Sequence, residues 1–176
     1  MAILYIPSLD KEVKSPQEIQ QFLNERGVFF DQWEASCELR KEATQDEVLS
    51  AYHYVLEPYM IKNGYKTADV INIYPGIENY DAIRAKFLAE HTHSEDEVRF
   101  FVEGEGLFWF NIEGSDVFHV RCQAGDLISV PKGAKHWFDA GEIPNVKAIR
   151  IFIDMSGWIP QYTQSGIESE FKHISI

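Results

Sequence analysis

Residues 91–97 read His-Thr-His-Ser-Glu-Asp-Glu and run directly into Val98-Arg99-Phe100-Phe101-Val102-Glu103-Gly104. Two imidazoles and three carboxylates thus crowd into seven positions ahead of an apolar run of strand composition. On an extended chain, residues two apart face the same side. His91, His93 and Glu97 share that parity, and Arg99, Phe101 and Glu103 continue it. Val98, Phe100 and Val102 face the other way. The spacing aims two nitrogen donors and a carboxylate at one volume; a β-bulge, or a segment that begins as loop, would upset the count.

Working outward, the second half is a series of short β-rich runs: VRFFVEG, GLFWFNI, VFHVRC, DLISV and KAIRIFI. Turn signals separate them at 104–106, 113–115, 124–126 and 131–133. Short strands at this spacing predict a sandwich or small barrel. The first half reads as mostly helical. Ser15-Pro16-Gln17-Glu18 and Thr44-Gln45-Asp46-Glu47 each have capping-box form, the first with Pro at the opening helical position. Pro58 is predicted to kink or shorten the second of these helices. A third is predicted from Tyr80 to Ala89, with Ile83, Phe87 and Leu88 on one face. A strand-like run, VFFDQWEA, lies between the first two. The expected architecture is mainly β with added helices (α+β). It is a single domain over 1–176, in which a mostly helical 1–90 packs outside a barrel core at 91–155.

The net charge of −12 argues against nucleic acid or an anionic membrane as partner, since both are bound by clustered Lys and Arg. The N-terminus lacks the form of a signal peptide, and no apolar run is long enough to span a bilayer. Cys37 and Cys122 form no CxxC and read as free thiols. A cytoplasmic monomer is the expectation.

A third imidazole lies downstream, where Gly125-x5-Pro131-x-Gly133-x2-His136 places a histidine after a strand and a Pro-x-Gly turn. From Glu97 to His136 is 136 − 97 = 39 residues, enough for hairpins that go out and return to the same part of a small barrel. Three neutral imidazoles and one carboxylate suit a divalent first-row metal such as Fe, Ni, Mn or Co. Four protein ligands on an octahedral ion leave two positions open. His53, His119 and His173 fall outside the pattern, and His119 reads as structural.

HxHx3E followed by this second motif resembles the cupin superfamily, whose double-stranded β-helix barrel carries a 3-His/1-Glu metal site. Many cupins place Asn four residues after the last His; Ala140 stands there instead. The contexts KFLAEHTHSEDEVRFFVEGEGLFWF, DLISVPKGAKHWFD and AIRIF…GWI narrow the resemblance to the acireductone dioxygenase family, densely from Lys86 to Trp158. That resemblance implies His91, His93, Glu97 and His136 as ligands of one Fe2+ or Ni2+ per monomer. It implies acireductone and O2 as substrates, in methionine salvage. The products would be formate with the keto-acid precursor of methionine on iron, or formate, CO and methylthiopropionate on nickel.

An ionised acireductone brings negative charge beyond what the metal site balances, so a nearby arginine would orient its oxygens. Arg99 has the parity for this. Arg150 is the second candidate, or else the partner of a buried acid. Asp96 and Glu95 are candidates to take a ligand imidazole's second proton or to act as a base on substrate. Phe87, Phe138 and Trp158 match aromatic positions of the family pattern and are candidates for the wall around the methylthio tail. Two other readings stay open: a different cupin enzyme, such as an isomerase or decarboxylase, and a metal-binding cupin without catalysis.

Overall fold

The computed structural model describes residues 1–171. In chain order the elements are β1 (Ile3–Ile6), β2 (Lys11–Val13), α1 (Pro16–Asn24), β3 (Phe29–Gln32), α2 (Gln45–Ala51), α3 (His53–Asn63), β4 (Thr67–Ile73) and α4 (Tyr80–Leu88). Then follow β5 (His91–Thr92), β6 (Glu97–Phe110), β7 (Phe118–Gln123), β8 (Asp126–Val130), β9 (His136–Asp139), β10 (Val146–Phe152) and β11 (Gln161–Tyr162). All strand pairings are antiparallel.

β6 organises the barrel because it belongs to both of its walls. Its first half pairs with β8 and β10, in the order β4-β10-β6-β8-β3. Its second half pairs with β7 and β9, in the order β11-β5-β9-β6-β7-β1-β2. The crossing falls at a bulge. Lys147 faces Glu103 and Ala148 faces Phe101, so Val102 is the extra residue. Gly104 follows at φ +70, and a Cβ there would stand 1.8 Å from the carbonyl oxygen of Asn145. Only glycine fits that close approach.

The bulge corrects two expectations. The Gly104–Gly106 signal, read as a turn, is a kink inside one continuous 14-residue strand. The parity count fails at Glu103, whose carboxylate accepts from Lys147 Nζ at 2.6 Å. Before the bulge Phe101 faces inward. After it Phe108 and Phe110 join the same interior cluster, while Leu107 and Trp109 turn to the outer face.

The first half is less helical than expected, because β1 to β4 join the barrel. The helices do pack outside. Val48, Tyr52 and Leu56, four residues apart, are buried against Val98, Phe100, Ile149 and Ile151 on the outer face of β6 and β10. Each fully buried apolar side chain of this kind stabilises the fold by about 1.5–3 kcal/mol. The Thr44 capping box forms in full: Thr44 Oγ1 accepts from Glu47 N, and Glu47 accepts from Thr44 N at 2.7 Å. Ser15 caps α1 by accepting from Glu18 N. The expected break at Pro58 is displaced to Tyr52, whose φ of −106 ends α2 and starts α3. Pro58 sits inside α3, where the carbonyl it leaves without a donor belongs to exposed Tyr54. His173 lies outside the described residues.

Candidate metal centre

The four donors converge because the short strands β5 and β9 meet the start of the long β6 at one end of the barrel. His91 in β5 is the direct cross-strand partner of His136 in β9, with ring centroids 4.6 Å apart. Glu97 opens β6 beside them, and His93 lies in the loop between. That loop is pinned to the turn preceding β9. Gly133 N donates to His93 O at 2.9 Å, and Lys132 N to Asp96 Oδ1 at 2.9 Å. Within that turn Ala134 N reaches back to Pro131 O at 3.1 Å, and Gly133 supplies a φ of +77.

His91 Nδ1 lies 2.7 Å from Ala89 O, and His136 Nδ1 lies 2.8 Å from Ala134 O. A carbonyl only accepts, so each Nδ1 carries the proton and each Nε2 presents a lone pair. His136 Nε2 and His93 Nε2 stand 3.0 Å and 3.1 Å from Glu97 Oε2. One ligand atom from each of the four residues lies within 4.8 Å of the others, and all four side chains are buried. Ligands about 2.1 Å from a metal are about 3.0 Å apart when adjacent and about 4.2 Å when opposite. Lone pairs gathered around a carboxylate oxygen at this spacing repel one another unless a cation lies between them. The residues fit a metal ion.

Burial, followed by the charge of His136, lowers His91 to about 4, so it stays neutral at pH 7, as a ligand imidazole must. Burial pushes the Glu97 carboxyl up. The charge of Arg99 beside it outweighs that and holds it well below the usual carboxylate range. Arg99 Nη2 donates to Glu97 Oε1 at 2.6 Å, while its buried Nε and Nη1 have no partner among the described residues. Its guanidinium lies 4.6 Å from the ring centroid of Phe138 and 4.9 Å from that of Phe108.

A cavity of about 160 Å³ opens on these donors. Phe87, Phe138, Trp158, Arg99 and Arg150 line it with the four candidate ligands. Phe87 and Phe138 meet edge to face at 6.2 Å. Arg150 is the partner of an acid: its Nε donates to Asp69 Oδ1 at 2.6 Å and its Nη2 to Asp69 Oδ2, and its guanidinium stacks 4.5 Å from Trp158. Asp96 is not brought to the cavity; it is exposed, and its carboxylate holds Lys132 N. Glu95 points away too, accepting from Asp154 N at 3.2 Å. The carbonyls of Ala89 and Ala134 do the tautomer fixing expected of these acids. Sequence reading missed Lys86, Pro160 and Tyr162 on the cavity wall. Tyr162 reaches it only because the two-residue β11 pairs with β5, and two residues carry no readable period.

An antiparallel barrel whose interior gathers three imidazoles and one carboxylate at one end defines a cupin metalloprotein. The particular family follows from comparison. Residues 7–160 match the ARD/ARD' family, and the chain belongs to it. It is 58% identical over 176 residues to an acireductone dioxygenase of Picosynechococcus, all of both chains being covered. It is 46% identical over 159 residues to that of Klebsiella oxytoca, covering 90% of this chain and 88% of the relative. The solved acireductone dioxygenase from Bacillus anthracis, with a cadmium ion in its active center, superposes with a TM-score of 0.84 at 33% identity. That superposition covers 92% of this chain and 98% of the other.

Proposed function

We propose that the chain cleaves acireductone, 1,2-dihydroxy-3-keto-5-methylthiopentene, with O2 in methionine salvage, and that His91, His93, Glu97 and His136 hold one Fe2+ or Ni2+ ion. The observation that carries the reading is the convergence of those four buried donors at a small cavity in a chain of this family. The bound ion supplies a Lewis-acid centre with open positions for substrate oxygens.

The protein's own groups do the rest. Three neutral imidazoles and one carboxylate leave a divalent ion with net charge near +1, so an anionic enediolate is attracted to the site. Arg99 keeps Glu97 ionised and offers its free Nε and Nη1 to the substrate oxygens. Phe87, Phe138 and Trp158 receive the apolar methylthio tail. Arg150, already bonded to Asp69, fixes Trp158 from behind and adds positive potential. A volume of about 160 Å³ suits a small substrate, since drug-sized pockets begin near ~300 Å³. Every one of these groups comes from one chain, so a monomer suffices. The free thiols Cys37 and Cys122 suit a reducing cytoplasm.

The test is to load apo-protein separately with Fe2+ and Ni2+ and supply acireductone under air. The iron form is expected to give formate and 4-methylthio-2-oxobutanoate. The nickel form is expected to give formate, CO and 3-methylthiopropanoate. No O2 uptake and no formate with either ion would overturn the proposal.

A further inference from the structure

Glu90 precedes the first candidate ligand, yet its side chain does not line the cavity. It is buried to 2% exposure and is committed to bonds elsewhere. One carboxylate oxygen accepts from Thr163 Oγ1 at 2.6 Å and Ser165 Oγ at 2.8 Å. The other accepts from Asn111 Nδ2 at 2.7 Å, just past the end of β6. Its main-chain oxygen accepts from Thr163 N at 3.0 Å. Thr163 and Ser165 belong to the strap that leaves β10 and crosses the cavity mouth, and this strap contributes Trp158, Pro160 and Tyr162 to the wall. Its other ties are spread thinly along its length: Asp154 N donates to Glu95, Arg150 stacks on Trp158, β11 pairs only Gln161 with Thr92 and Tyr162 with His91, Tyr162 Oη donates to Lys86 O at 3.1 Å, and Ile167 and Phe171 pack on the outer-face cluster of Trp109 and Trp137 beyond it. A buried carboxylate receiving three side-chain donors is a stronger anchor than a two-residue strand.

We propose that Glu90 is a positioning residue for the substrate's apolar end: it ties Thr163 and Ser165 to the barrel, so that Trp158, Pro160 and Tyr162 keep a fixed wall. The inference rests on the reading that this cavity takes the substrate. Its structural half stands apart from turnover and is tested apart from it.

The experiment compares wild type, Glu90→Ala, Glu90→Gln and the double variant Thr163→Val/Ser165→Ala, as full-length metal-loaded proteins. It measures hydrogen exchange over residues 156–167, metal content, kcat and KM. Glu90→Ala is expected to speed exchange in the strap roughly tenfold and to raise KM on the order of ten- to a hundredfold, with kcat and metal content nearly unchanged. Glu90→Gln recovers most of the loss, because its amide oxygen can accept from both hydroxyls at the position of the shared carboxylate oxygen, and the Asn111 amide can turn its oxygen toward the new N–H. The strap-side double variant reproduces Glu90→Ala without touching the residue beside His91, and it decides the matter if Glu90→Ala does not fold. Wild-type strap exchange in these variants would overturn the proposal. So would loss of metal with strap protection intact, which would assign Glu90 to the coordination of His91 instead. Absence of turnover in the wild type would count against the dioxygenase reading, and the exchange result would still decide the role of Glu90.

Discussion

Gly106→Ala is a one-methyl change that tests how the barrel frame shapes the cavity. Gly106 lies in β6 opposite Cys122. A Cβ built there would stand 2.2 Å from Cζ of Phe138 and 2.6 Å from its Cε2. Carbon atoms in contact need about 3.5–4.0 Å. The Phe138 ring must therefore retreat by roughly 1.3–1.8 Å, the difference between that range and 2.2 Å. It has nowhere soft to go: Phe108 lies 5.0 Å away, Phe87 6.2 Å, and the Arg99 guanidinium 4.6 Å over the ring. Overpacking of this kind costs about 1–3 kcal/mol. For a chain of this length that is a fall in Tm of about 2–4 °C per kcal/mol. A wall group displaced by more than 1 Å should also lower kcat/KM on the order of a hundredfold. Urea unfolding and steady-state kinetics on the metal-loaded variant measure both effects. Adding Phe138→Leu should restore stability but not activity, because room returns while the wall does not. A Gly106→Ala protein within about 0.5 kcal/mol of wild type, with unchanged kcat/KM, would refute the reasoning.

Arg99→Met leaves Glu97 buried without its cation, and breaking such a pair is expected to cost about 3–5 kcal/mol in the apo-protein. It should also cut kcat/KM on the order of 10²–10³-fold; wild-type turnover would remove Arg99 from the substrate's reach. Asp96→Ala should keep kcat/KM within about threefold, since that carboxylate serves the loop and not the cavity; a hundredfold loss would reinstate it as a catalytic group. His119 is buried beside Trp109 and Tyr5 with neither ring nitrogen bonded among the described residues, and burial with the Arg121 charge lowers it to about 4. The unfolded chain takes this proton near 6.5, so the neutral ring's contribution is complete above that pH and is lost as the pH falls toward 4. His119→Phe should therefore gain about 3 kcal/mol on wild type between pH 7 and pH 4 in urea unfolding; a constant difference would contradict this.

The donor set was legible because its signal is local and chemical. His91, His93 and Glu97 declare themselves by period two, and His136 by the Pro-x-Gly turn that delivers it. The aromatic wall came from the resemblance alone. What could not be read depends on tertiary context. A glycine pair reads alike in a turn and in a bulge, and only the approach of Asn145 and Phe138 makes Gly104 and Gly106 a kink. The helix breaks at Tyr52, whose ring is buried on Phe100, a contact no window of sequence contains. β5 and β11 are two residues each, too short for any pattern, yet they set the cross-strand pair His91–His136 and bring Tyr162 to the cavity. Asp96 shares its neighbourhood with the ligands in sequence, but the loop before β6 turns it toward Lys132 N, just as it turns Glu95, of the ligands' own parity, toward Asp154 N.

X-ray absorption on the iron- or nickel-loaded protein, with metal assayed per chain, tests the account most directly. It predicts one ion per chain with three imidazole nitrogens and a carboxylate oxygen at about 2.0–2.2 Å, the imidazole signal dropping by one in His136→Ala. Stoichiometric metal with fewer than three imidazoles, or a spectrum that His136→Ala leaves unchanged, would contradict it.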